Sequence, residues 1–196
     1  MTLFDRAPNV APETYVAPSA TLVGNVYMSD RASVGYGAVL RADTNYVHVG
    51  AYSHIGDSTV VTVSLDRKGA PGGFAMGNWA LVGSNCKLSS CLLDNRCFVG
   101  SGSVVEHNCW VGESAVLAPG SVLLPFTHVP AGEVWGGNPA QKIRDTSAEE
   151  KEFIKESTEA KAELAAAHAG EFELPYANAA LEELVQLRAE YRASQK

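Results

Sequence analysis

Aliphatic residues recur every six positions along two stretches of the chain: Val16, Leu22, Met28, Val34 and Leu40, then Val99, Val105, Val111, Leu117, Leu123 and Val129. The next residue is repeatedly glycine, as at Gly35, Gly50, Gly56, Gly83, Gly100 and Gly112. The residue four after the aliphatic is small: Ala20, Ala32, Ala38, Ser103, Cys109, Ala115 and Ser121. This pattern predicts a short strand pointing its aliphatic inward, a glycine permitting the backbone to turn, and a small residue filling the corner. Three such hexapeptides close a triangular coil. Stacked coils, each strand bonded to its equivalents above and below, make a parallel β-helix.

The repeat breaks between Leu65 and Trp79, where the intervening residues read DRKGAPGGFAMGN. That Gly/Pro-rich excursion, about 65–79, predicts an extruded loop whose Phe74, Met76 and Trp79 cap an end or touch a partner. Thr146-x-x-Glu149 is a capping-box pattern before a helix-favouring run that ends near His168-Ala169-Gly170. After Leu174-Pro175-Tyr176, Asn178 is placed to cap a second helix, along which Leu181, Leu184, Val185, Leu187 and Tyr191 recur at helical spacing. The expected organisation is a β-helix domain over 1–145 and a helical extension over 146–196 that covers the prism or meets a partner.

Composition narrows the function. With 196 residues, 46% apolar and 19% charged, the chain is an ordinary globular sequence, enough for one buried domain plus an appendage. A net charge of -7 and scattered basic residues argue against a nucleic-acid partner. From Thr146 onward there are eleven Asp/Glu against six Lys/Arg, and this acidic shift marks the boundary near residue 145. No run approaches the roughly 18 apolar residues of a membrane span. MTLFDRAPNVAPE has the features of neither a secretory signal nor an organellar transit peptide. Cys86, Cys91, Cys97 and Cys109 form no C-x-x-C pair, which favours a reducing compartment. Three of them follow Val82, Leu93 and Val105 by four and so fall at the small inward corner, where free cysteine acts as a small hydrophobe; Cys91 is not fixed by the repeat.

Several segments carry a family resemblance. Val39-Leu40-Arg41-Ala42-Asp43, Val49-Gly50, Ile55-Gly56-Asp57 and the stretch GEVWGGNPA, from Gly132 to Ala140, resemble the γ-class carbonic anhydrases over about residues 7–169. The resemblance implies a left-handed parallel β-helix that assembles as a trimer, an exception to the right-handed crossover habit. It also implies a divalent metal, usually zinc, held between subunits by three histidines, two from one subunit and one from its neighbour. Neutral imidazoles suit that chemistry because three nitrogen ligands leave an open position where metal-bound water ionises near neutral pH and attacks carbon dioxide.

Mapped onto this chain, the first histidine of the family motif falls on Thr62, and the pair in its G-H-x-x-x-x-H pattern falls on Ser84 and Ser89. The glutamine that helps place the reactive water falls on Gly56. Hydroxyls are poor zinc ligands, so the resemblance implies lost catalysis and no cofactor in this subunit, zinc remaining possible at a site between partner subunits. Arg41, Asp43 and Asp57 match positions of inter-subunit charge contacts, which fix register. Of the histidines, His48 and His54 stand six apart, on adjacent faces of one coil, where they are not expected to converge on a metal. His168 is expected as a packed or exposed helical residue.

Phe172-Glu173-Leu174-Pro175-Tyr176 and the following amphipathic pattern are similar to the tail of the γ-carbonic anhydrase-like proteins of plants and algae. That resemblance implies a non-catalytic subunit of a heterotrimer with other γ-carbonic anhydrase subunits, peripheral on the matrix side of the mitochondrial inner membrane and bound to complex I membrane-arm subunits. Two other readings compete with it. One is a hexapeptide acyltransferase using His107 or His54 as general base; the other is a carbonic anhydrase with a displaced metal site.

Overall fold

A computed structural model describes residues 7–65 and 72–172. The hexapeptides form a parallel β-helix of about seven turns, closed along its last coil by the antiparallel pair Glu133–Gly137 and Ala140–Asp145. Its three flat faces are stacks of outward residues in strict register. The first carries Thr21, Val39, Val60, Lys87, Val104 and Val122. The second carries Tyr27, His48, Ala75, Leu92, Trp110 and His128. The third carries Tyr15, Ser33, His54, Leu81, Phe98 and Val116. The long strands Thr21–Met28 and Val39–Val49 run round a corner, joining the first two faces into one sheet.

The repeat reads correctly as a core. Val34, Leu40, Val99, Val105, Val111, Leu117, Leu123 and Val129 have no exposed surface, and each contributes about 1.5–3 kcal/mol by its burial. The small corner residues Ala32, Ala38, Ser103, Cys109, Ala115 and Ser121 are buried beside them. All four cysteines are free and buried, including Cys91, and burial pushes the Cys97 thiol up to about 12.

Three expectations change. The excursion is shorter than the composition suggests, because Phe74–Met76 returns as a strand paired with Val47–Val49 and Leu92–Leu93. Phe74 and Met76 are wholly inside the prism, neither capping an end nor available to a partner. The glycines after the aliphatics do not turn the chain through positive φ. That conformation comes later in each corner, at residues such as Asn85 (φ 58°) and Asn108 (φ 57°), a region asparagine tolerates. Gly56 is required for a different reason: a Cβ there would sit 2.6 Å from the Gly83 carbonyl carbon of the next coil. The glycine column lets coils stack at strand spacing.

The third change is at the helix. The helix α1, Ala148–Phe172, is capped by Ser147 rather than Thr146. Glu150 N–H donates to Ser147 Oγ (3.1 Å), and Ser147 N–H donates to Glu150 Oε2 (2.9 Å), so the capping box is shifted by one residue. Arg144 adds a bidentate pair to the same carboxylate at 2.7 Å for each bond. This locks the entry of α1 to the strand that ends at Asp145. The helix then runs along the third face, with Ile154 and Ala165 buried. The second expected helix, from Asn178, lies outside the described residues.

Candidate functional site

The expected ligand positions divide into a pair and a single residue. Strand Val60–Thr62 pairs with Lys87–Ser89 so that Thr62 lies opposite Ser89. Val61 and Leu88 between them and their neighbours point into the core with no exposed surface, and alternation therefore sends Thr62 and Ser89 outward together onto the first face. Ser84 sits round the corner, in the turn after Leu81–Val82, where its N–H donates to Ser101 Oγ (3.2 Å). Gly56 stacks directly on Gly83, the residue before Ser84.

Around Thr62 the first face opens into a cleft of about 410 Å³ whose lining includes Arg41, Asp43, Thr44 and Ser64. Arg41 and Asp43 pair with one another, Nη2 to Oδ2 at 2.6 Å. Asp57 accepts the Tyr36 N–H through Oδ1 at 2.7 Å, bracing a turn of its own chain. Arg41 and Asp43 are thus oriented by their own pair at the cleft, whereas Asp57 lies away from it, toward the third face.

The donor set does not fit zinc. Thr62, Ser84 and Ser89 offer neutral hydroxyls, whereas zinc sites take thiolate, imidazole or carboxylate. Among the described residues, no three His, Cys, Asp or Glu side chains are grouped to hold a metal. No step through a metal is therefore derived for this chain. His48 and His54 project from different faces, the second and third, as their spacing predicts.

The chemistry-bearing cluster that motif reading missed lies beneath α1. His54 is held with Nδ1 2.8 Å from Ser33 Oγ, and Tyr15 OH donates to Tyr36 OH at 3.1 Å. Tyr36 OH in turn lies 3.3 Å from His168 Nδ1 on α1, whose ring also packs on Tyr15 at 5.9 Å between centroids. These groups, with Asp57, Ser84 and Lys161, line a cavity of about 140 Å³. Burial first, and then the Lys161 ammonium, lower the His54 imidazole to about 4, against an opposing pull from Asp57. The imidazole is neutral at pH 7 and already bonded to Ser33. The one sequence signal for this cluster was register: Tyr15, Ser33 and His54 each immediately precede an inward aliphatic on the same face.

As a general base, His54 would have to act through Nε2, because Nδ1 is engaged by Ser33. His107 packs edge-on against Phe126 at 5.4 Å, and His128 stacks on Trp110 at 4.3 Å. The register of Leu88 on Val105 puts His107 one residue beyond the position opposite Ser89, while its ring is engaged with Phe126.

No family model matches the chain. The chain is 37% identical over 172 residues to the protein named Gamma carbonic anhydrase 1, mitochondrial, of Arabidopsis thaliana, a match covering 87% of this chain and 62% of that protein. It is 37% identical over 176 residues to Gamma carbonic anhydrase-like 2, mitochondrial, from the same plant, covering 89% of this chain and 68% of that one. Among solved structures, a hexapeptide transferase family protein from Anaplasma phagocytophilum superposes with a TM-score of 0.79 at 33% identity. That match covers 84% of this chain and 94% of the other.

Proposed function

Because the chain belongs to the γ-carbonic anhydrase family, we propose that it is a structural, non-catalytic member, completing a heterotrimer with other γ-carbonic anhydrase subunits. Its place is mitochondrial, peripheral on the matrix side of the inner membrane, against the membrane arm of complex I. The observation that carries the non-catalytic reading is the trio Thr62, Ser84 and Ser89. It falls at the three expected ligand positions and offers only hydroxyls. Support for the mitochondrial setting comes from the names of relatives in both branches, catalytic in name and "-like". No helix among the described residues is long and apolar enough to cross a membrane, which is compatible with peripheral attachment.

A ligandless subunit has a stoichiometric consequence. Each shared site draws on two neighbours, so one such chain removes the ligands of both sites it borders and leaves one site between two competent partners. The test is native mass spectrometry of the assembly purified from its source, reading subunit masses and bound metal together. A mixed trimer with about one zinc is the expected result. A homotrimer carrying three metals would overturn the proposal. Metal-free homotrimers with thiol-ester turnover would instead favour an acyltransferase, for which His54 and His107 are the candidates.

A further inference from the structure

A groove of about 800 Å³ lies between the last turns of α1 and the first coils of the prism. One wall is a stack in which Arg31 covers Tyr52 (5.4 Å to the ring centroid) and Tyr52 lies on Trp79 (5.4 Å, 13° between planes). The other wall is α1 itself, presenting Ala162, Ala166 and Ala169 with Glu159 and Glu163 at the rim. The alanines let another chain segment approach the helix backbone closely. Among the described residues, Glu159 and Glu163 form no ion pair, whereas Arg31 is already paired with Glu13 at 2.7 Å. The open wall is therefore small, apolar and acidic.

We propose that this groove is the docking site of the chain's own segment 173–196, which folds back antiparallel to α1. The segment leaves α1 at Phe172, beside Ala169 and Gly170 at the groove's end. Glu173 to Ala177, with Pro175, has the length of an ordinary helix–helix connection. On the helix that the sequence predicts from Asn178, Leu181, Leu184, Val185, Arg188 and Arg192 share one side, while Glu183 and Glu190 take the opposite one. The side that is apolar and basic thus faces a wall that is apolar and acidic.

The spacings match as well as the charges. At 1.5 Å rise per residue, Glu163 and Glu159 stand about 14 and 20 Å back from Phe172, and Arg188 and Arg192 about 15 and 21 Å beyond Asn178. Both pairs have i, i+4 spacing, so an antiparallel return brings Arg188 to Glu163 and Arg192 to Glu159 on single faces.

The test uses the full chain carrying Glu163→Cys and Arg188→Cys, oxidised after equal amounts of unlabelled and nitrogen-15-labelled protein have been mixed and allowed to assemble. The expected product links the two introduced cysteines to each other in most chains, with both peptides of one isotope. A Glu149→Cys and Arg188→Cys pair, about 21 Å further along α1, should not link. Linked peptides of mixed isotope would overturn the proposal, since the segment would then occupy a second copy, and absence of the link would overturn it as well. Hydrogen exchange of the otherwise unmodified chain gives a measurement free of engineered cysteines. Leu184→Asp should speed exchange at Ala162–Ala169 at least tenfold and leave Val99–Val129 unchanged; unaltered exchange at α1 would refute the docking.

Discussion

The first face around Thr62 and the third face beneath α1 are made from the same hexapeptide, yet they have exchanged the usual relation between chemistry and access. Thr62 lines an open cleft, with Ser89 opposite it on the next strand, and both carry side chains too weak to hold a metal. His54, with Tyr15, Tyr36 and His168, has the titratable and hydrogen-bonding groups of a working site, and a helix lies over it. Where the cleft is accessible the donors are absent, and where donors are gathered they bond one another. An imidazole in this fold is thus not evidence of catalysis by itself. Its partners and its burial decide between a base and a structural element.

The strongest way to test that difference is acid. His54 has its folded pKa depressed to about 4 from 6.5, chiefly by burial. Above pH 6.5 neither folded nor unfolded chain carries the proton, and the protein keeps its full stability. As the pH falls below 6.5 the unfolded state takes up a proton that the folded state refuses, so stability declines until the folded pKa is reached. The total loss is ~3 kcal/mol. The groups facing His54 in its cavity are Ser33, Tyr15 and Tyr36, Asp57, Ser84, and Lys161 and His168 of α1. Urea unfolding at pH 7 and at pH 5, the window before the carboxylates titrate, should resolve most of the decline, and His54→Gln should flatten it. A decline that persists undiminished in His54→Gln would place the acid sensitivity elsewhere.

A smaller effect is expected where the open cleft meets the coil stack. A glutamine at position 56 places a Cβ 2.6 Å from the Gly83 carbonyl carbon, and backbone atoms cannot swing away as a flexible side chain does. Gly56→Gln should therefore destabilise the chain by about 2 kcal/mol through overpacking, read as a lower denaturation midpoint at pH 7. It should restore no carbon dioxide hydration. The close stacking of these coils depends on glycine at this position, so a well-folded Gly56→Gln protein of unchanged midpoint would mean that this part of the prism readily spreads.

What was legible in the sequence follows from the same contrast. The six-residue spacing of Val99 to Val129 reports the core directly, because each coil must supply an inward aliphatic at the same position. The assignment of Thr62, Ser84 and Ser89 to expected ligand positions rests on resemblance alone, since a hydroxyl on a strand has no chemistry to announce. The cluster under α1 was legible only in part, through the stacking register of Tyr15, Ser33 and His54. His54 and His168 are 114 residues apart, and only the docking of the helix brings them into one cavity. Phe74 and Met76 were misread because the glycines and proline before them imitate a loop that continues, while their own alternation is too short to stand out.

The least of the expected effects concerns the device that holds the cover in place. Ser147 accepts the Glu150 N–H, and Ser147→Ala removes that bond, lowering stability by about 1 kcal/mol. Glu150 is held down to about 2, first by Arg144 and then by the Ser147 backbone. Its contribution is therefore present above the ordinary carboxylate pKa of 4.5 and fades as the pH falls toward 2, so it is intact between pH 7 and pH 5, where most of the His54 effect appears. Thermal unfolding followed by circular dichroism at pH 7 and pH 5 should consequently give the same penalty for Ser147→Ala at both values. An equal penalty means that α1 is anchored at its entry independently of the imidazole it covers. If the penalty instead shrinks at pH 5, the two ends of the cover are coupled, and protonating His54 already loosens the helix that the cap is meant to fix.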